Sequence, residues 1–127
     1  MKKNVVAALL LVCFGVSPMA MAQVYINEIM AVNQSYGTDP QGDAEDWVEL
    51  ANSGSVSVNL GGYYLSDDPD NPQKWQFPTN QPGLTRLPAR GHLVVWADSD
   101  TQAQGLHAGF NLSSQGETLV LSSPSGD

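Results

Sequence analysis

The sequence predicts one all-β sandwich carried behind a cleavable leader, and three observations point there. After residue 22 no apolar periodicity of useful helical length is present. Short apolar or alternating runs are separated instead by Gly, Pro, Asn, Asp and Ser, the pattern of strands and turns. Seven or eight such runs in roughly a hundred residues match the strand spacing of two packed sheets.

The leader comes first. Lys2 and Lys3 supply a basic start, residues 5–16 an uncharged apolar stretch, Pro18 a helix break, and Ala20-Met21-Ala22 an A-x-A cleavage signal. A secretory signal peptide is therefore expected over residues 1–22, with cleavage between Ala22 and Gln23. The apolar run falls short of the ~20 residues of a transmembrane helix, so the mature chain is expected to have no membrane span. Val12 stands before Cys13, where a lipoprotein would need a small residue.

The mature domain, residues 23–127, holds 105 of the 127 residues, enough for one domain with a core of its own. Its only cysteine, Cys13, leaves with the leader. The domain thus enters a disulfide-permissive compartment without disulfides, and apolar burial and β hydrogen bonding have to hold it. Lys74, Arg86 and Arg90 face thirteen acidic residues, a formal charge of −10. That charge repels phosphate backbones and anionic membrane surfaces, so direct nucleic-acid binding is not expected.

The elements follow in order. Residues 24–31 form the first strand. In 47–51, Val48 and Leu50 point one way and Trp47 and Glu49 the other, because strand side chains alternate. Residues 56–60 come next, and Gly61-Gly62 then permits a turn or bulge before 63–66. In 74–77, Trp75 and Phe77 share a face. Pro78, Pro82 and Pro88 punctuate a long connection from 77 to 91. Residues 92–97 are apolar on both faces, as a central strand is. A short run at 108–112 and a strand at 118–122 complete the set. The chain closes on "SSPSGD", a turn that normally leads into a further strand, so truncation at the C-terminal end is expected. Val48, Leu50, Leu60, Leu65, Phe77, Leu93, Val95, Phe110, Leu112, Leu119 and Leu121 are the expected core, joined by the Tyr63 ring; each such residue contributes roughly 1.5–3 kcal/mol when buried.

The motifs carry more than the composition. "INEIM" (26–30), "DWVELAN" (46–52), "LGGYYLSDD" (60–68), "KWQFP" (74–78), "GHLVVWAD" (91–98), "HAGFNLSSQGETLVL" (107–121) and a closing "SG" occur in that order. Each is weak alone. Together, at compatible spacing, they resemble the lamin tail domain family in its secreted bacterial form, over nearly the whole mature chain. The resemblance implies an immunoglobulin-like β-sandwich and an interaction module, with no catalytic residue set to carry over. It also implies that bacterial members continue past the closing turn into more strand sequence, which is missing here.

Candidate site residues cluster in two acidic loops. Asp39, Asp43, Glu45 and Asp46 precede Trp47, and Asp67, Asp68, Asp70 and Asn71 form the second loop. Both offer hard oxygen ligands, so calcium is the candidate ion, with 67–71 the favoured loop. Neither has EF-hand spacing, and solvated turn-formers are the commoner explanation. Asp46 and Asn52 can each stabilise a turn through the side chain. Glycosidase chemistry needs a carboxyl with a raised pKa, which polar loops do not supply. His92 and His107 with Ser113 or Ser114 could suggest a hydrolytic triad, but no G-x-S-x-G elbow is present. Two histidines without cysteine or H-E-x-x-H argue against zinc. Trp47 is the tryptophan most suited to meet a partner, because it opposes the core-facing Val48 and Leu50.

The expected function is a non-catalytic module that tethers an exported protein to a protein, a cell-surface component or a polymer, through Asp43, Asp46 and Trp47 and the 67–71 loop. The alternative is an accessory domain of an exported hydrolase of nuclease or phosphatase type, with its catalytic part beyond Asp127. The expected destination is the cell surface, the medium or the periplasm.

Overall fold

The computed structural model describes residues 23–116 and 118–127. The leader expected at residues 1–22 lies outside the described residues. Among the described residues, nine strands and one helical turn occur in the order β1 (Val24–Met30), β2 (Trp47–Asn52), β3 (Val58–Asn59), β4 (Tyr64–Ser66), β5 (Trp75–Gln76), α1 (Pro82–Thr85), β6 (Arg86–Leu87), β7 (His92–Ala97), β8 (His107–Ala108) and β9 (Val120–Ser122).

They form a four-stranded sheet β1-β2-β7-β8, a three-stranded sheet β5-β4-β9 and a short β3-β6 ribbon. All pairs are antiparallel except β7 with β8, which run parallel with Trp96 opposite His107 and Ala97 opposite Ala108. The core lies between the sheets. Val48, Leu50 and Val95 from the larger sheet meet Leu65 and Phe77 from the smaller one, with Leu60 and Leu87 from around the ribbon. Trp75 and Phe77 share a face, as period-2 alternation requires, with ring centroids 4.7 Å apart. Leu93, Leu119 and Leu121 pack on this core only partly buried.

Several expected strands change shape. The run at 56–60 shortens to β3 because Asn59 turns its side chain to local work: its Oδ1 accepts from the Gly61 amide and the Thr85 hydroxyl. The Leu60–Tyr63 turn follows, closed by Tyr63 N–H to the Leu60 carbonyl at 2.9 Å. Gly62 there has φ +88°, a conformation that L side chains rarely adopt. The connection from 77 to 91 is not a bare loop. Pro82 opens one helical turn, α1, where a missing N–H costs nothing, and β6 then pairs with β3. The run at 108–112 reduces to β8, with Asn111 forming only an isolated bridge to Asp98.

β7 lies between β2 and β8, the central place that its two apolar faces predict. β1 sits at the edge of its sheet and pairs with β2 alone among the described residues. A register shift between Ile26 and Glu28 bulges β1 opposite Glu49, and Asn27 Nδ2 donates to the Glu49 carboxylate.

Candidate functional site

The long loop between β1 and β2 is organised by one side chain, Asn33. Its Nδ2 donates to the carbonyls of Tyr36, Gly37 and Glu45, and its Oδ1 accepts from the amides of Ser35 and Tyr36. Its own N–H donates to Asp46 Oδ1 at 2.8 Å. The side chain is buried. Val32 just before it has φ +58°, an uncommon conformation for a β-branched residue, and directs the chain into the loop.

Further along, Asp39 Oδ1 accepts from the amides of Gln41 and Asp43, both at 2.9 Å. An aspartate that bonds its own following backbone closes such a turn. The loop is also tied to the β7–β8 region. Ala97 N–H donates to the Asp46 carbonyl at 2.7 Å, and Gln41 Nε2 donates to the Gln104 carbonyl at 3.1 Å.

These ties bring three distant groups together. Ligand atoms of Asp39, Asp98 and His107 all lie within 4.8 Å of one another. Asp98 follows β7 and His107 opens β8, so the parallel pairing of those strands sets them side by side, and the docked loop adds Asp39. His107 Nδ1 lies 2.7 Å from Asp98 Oδ2, and Nε2 lies 3.0 Å from the Gln104 carbonyl. The side chains are 1% (His107) and 6% (Asp98) exposed. Gly105 makes the close approach feasible: a Cβ there would stand 3.1 Å from Pro40 and 3.4 Å from His107 Nε2.

A carboxylate and a carbonyl are both acceptors, so filling both bonds makes both ring nitrogens donors, which is the imidazolium. Burial pushes His107 toward neutrality, but the Asp98 hydrogen bond, the Gln104 carbonyl and the charges of Asp98 and Asp39 outweigh it and raise its pKa above 6.5. Glu45 is also raised above 4.5, first by burial and then by repulsion from Asp98, Asp39, Asp43 and Asp46. A histidine with a raised folded pKa contributes stability that is complete below its unfolded value, near 6.5, and lost as pH rises through the folded value. The Glu45 shift acts in the same direction at lower pH. In chelator, Tm is therefore expected to fall as pH rises from 6 to 9, with His107→Gln flattening the fall. A slope unchanged in that variant would assign it to other groups.

Of the residues singled out in sequence, Asp43 is exposed and contributes its backbone to the Asp39 turn. Asp46 holds the Asn33 amide through its carboxylate. Trp47 lies on the outer face of β2 opposite Trp96, and its indole N–H donates to the Tyr36 carbonyl at 3.3 Å, beneath the loop. In the second loop, Asp67 pairs with Lys74 at 2.6 Å, and Asp68 Oδ1 accepts from the Asp70 amide. The Asn71 carbonyl accepts from the Ser66 hydroxyl, and Asp70 is exposed. Among the described residues, the titratable groups that converge at metal-ligand spacing are Asp39, Asp98 and His107. His107 turns both nitrogens to Asp98 and Gln104 rather than to a serine, while exposed His92 stands 4.0 Å from Glu49.

Trp75, Gln76, Gln81, Thr101 and Gln102 line a cleft of about 370 Å³ that reaches His107. Along β1 and the start of its loop, Tyr25, Ile29, Val32 and Tyr36 are exposed, Val32 at 56% and Tyr36 at 73%.

The family model described as Lamin Tail Domain matches residues 17–127, beginning inside the segment read as the leader. No curated protein and no solved structure matches the chain.

Proposed function

The chain belongs to the lamin tail domain family, and from that premise we propose that this non-catalytic, interaction-type domain serves an exported protein by docking a protein partner along β1. The observation that carries the reading is the exposed edge strand β1, which with the loop that leaves it presents Tyr25, Ile29, Val32 and Tyr36. The bulge sets Tyr25, opposite Ala51, and Ile29, opposite Val48, on the two faces of the strand, so they border its unpaired backbone groups, which an edge strand offers to a partner. The acids first considered as contacts have local structural work: Asp46 and the Asp43 backbone build the loop, and Asp67 and Asp68 build the 67–71 turn. Trp47 then acts as support, holding Tyr36 in place from below. Export rests on the leader read at residues 1–22.

The test is site-specific photo-crosslinking in the cell that makes the protein. A photoreactive side chain at Ile29 is expected to give discrete crosslinked protein bands. The same group at the exposed Asn80, in the connection after β5, serves as the control. Identical patterns from the two positions, or none from Ile29, would overturn the reading.

A further inference from the structure

We propose that Asp39, Asp98 and His107 form a binding site for one divalent transition-metal ion of the zinc class, which pins the β1–β2 loop to the ends of β7 and β8. The inference does not depend on the docking surface proposed above.

Three observations carry it. Two carboxylates and an imidazole offer ligand atoms within 4.8 Å of one another. They are shielded from solvent: Asp39 is 8% exposed as a residue, and the Asp98 and His107 side chains are 6% and 1% exposed. The outer contacts already hold ligands in place. Gln104 accepts from Nε2 of His107 and so fixes the ring with Nδ1 toward Asp98, and both amides that hold Asp39 bind Oδ1. A carbonyl on the far ring nitrogen is the usual support of a metal-bound histidine.

Charge decides the class of ligand. A dication bound by neutral His107 and the two carboxylates brings the trio to zero net charge, and buried charge is tolerated best when it is matched. The imidazole favours a borderline ion such as zinc over calcium, which prefers an all-oxygen shell. Sequence spacing hides the site, because its ligands come from three separate segments and no short motif contains them.

The tag-free mature domain, stripped with chelator, provides the test. Zinc is expected to bind at one equivalent and to raise Tm by roughly 10 °C at a hundredfold excess over Kd. Cobalt in its place is expected to give visible d–d absorption, and zinc to shift the His107 Nδ1 nitrogen resonance in wild type. Asp39→Asn keeps the Oδ1 acceptor that closes the loop and is expected to weaken zinc at least tenfold while leaving the fold intact. His107→Gln is expected to abolish cobalt absorption. No saturable zinc or cobalt binding to wild type overturns the proposal. So does binding undiminished in Asp39→Asn, or a Tm response to calcium alone, which would belong to the 67–71 loop.

Discussion

Asp98→Ala is expected to lower stability by roughly 3–4 kcal/mol in chelator at pH 6, a fall in Tm of roughly 15–25 °C. The substitution removes the charged partner of a buried histidine and leaves Nδ1 without its hydrogen bond. Breaking a buried pair from one side costs about 3–5 kcal/mol when the remaining charge is stranded. His107 can shed its proton, which trims that cost. Asp98 also accepts the Asp100 amide through Oδ1, a turn bond that alanine loses and asparagine can keep. Asp98→Asn should therefore cost less than alanine and still abolish the His107 share of the pH dependence. Denaturant melts of the single variants and the Asp98→Asn, His107→Gln pair give the coupling by a double-mutant cycle. A cost below about 1 kcal/mol for Asp98→Ala would show that the pair is not a principal tie of this corner.

Asn33→Ala is expected to cost roughly 2–3 kcal/mol, a Tm lower by roughly 10–20 °C. Its side chain makes contacts to five backbone groups of one loop. The partners at Ser35, Tyr36 and Gly37 are exposed, so water replaces much of what they lose, and the larger share comes from the partly buried Glu45 carbonyl. Asn33→Asp is a sharper probe. It retains the acceptor for Ser35 and Tyr36 but sets a carboxylate against three carbonyls and beside Asp46. It should be less stable than alanine at pH 7 and recover on acidification. Because the loop carries Asp39 and supports Tyr36, both variants should also loosen the corner and the exposed Tyr36 turn, which hydrogen exchange at Tyr36 and Asp43 would report. Melting within about 0.5 kcal/mol of wild type would remove Asn33 as the organiser of the loop.

The sandwich was legible because alternation is a local signal. Val48 and Leu50 are fully buried and Trp47 and Glu49 are not, and Gly61-Gly62 forms the turn its composition announces. β6 was missed because Arg86–Leu87 is too short to show a period and sits among prolines, and its pairing with β3 exists only across the chain. Asn33 left a faint trace as an asparagine just past a strand, a common turn-former, but nothing local marks it as the hub of a loop that closes at Glu45. Among the acids, composition singled out two loops and favoured 67–71 over the one that holds Asp39 and Asp43. It could not say that the Asp39 carboxylate turns inward while Asp43 faces solvent, because that depends on which backbone amides the turn presents.

By itself, the sequence determined the all-β class, most of the core and the family, since these follow from period-2 patterning, turn residues and ordered motifs, all readable along the chain. The tertiary structure decided the Asp39–Asp98–His107 corner and the place of β1 at the sheet edge. Parallel pairing of β7 with β8 sets Asp98 beside His107, and the ties from Asp46 and Gln41 bring Asp39 to them. Local preferences fix which residues become strands. Only the pairing of strands and the docking of a loop fix which buried charges must face one another.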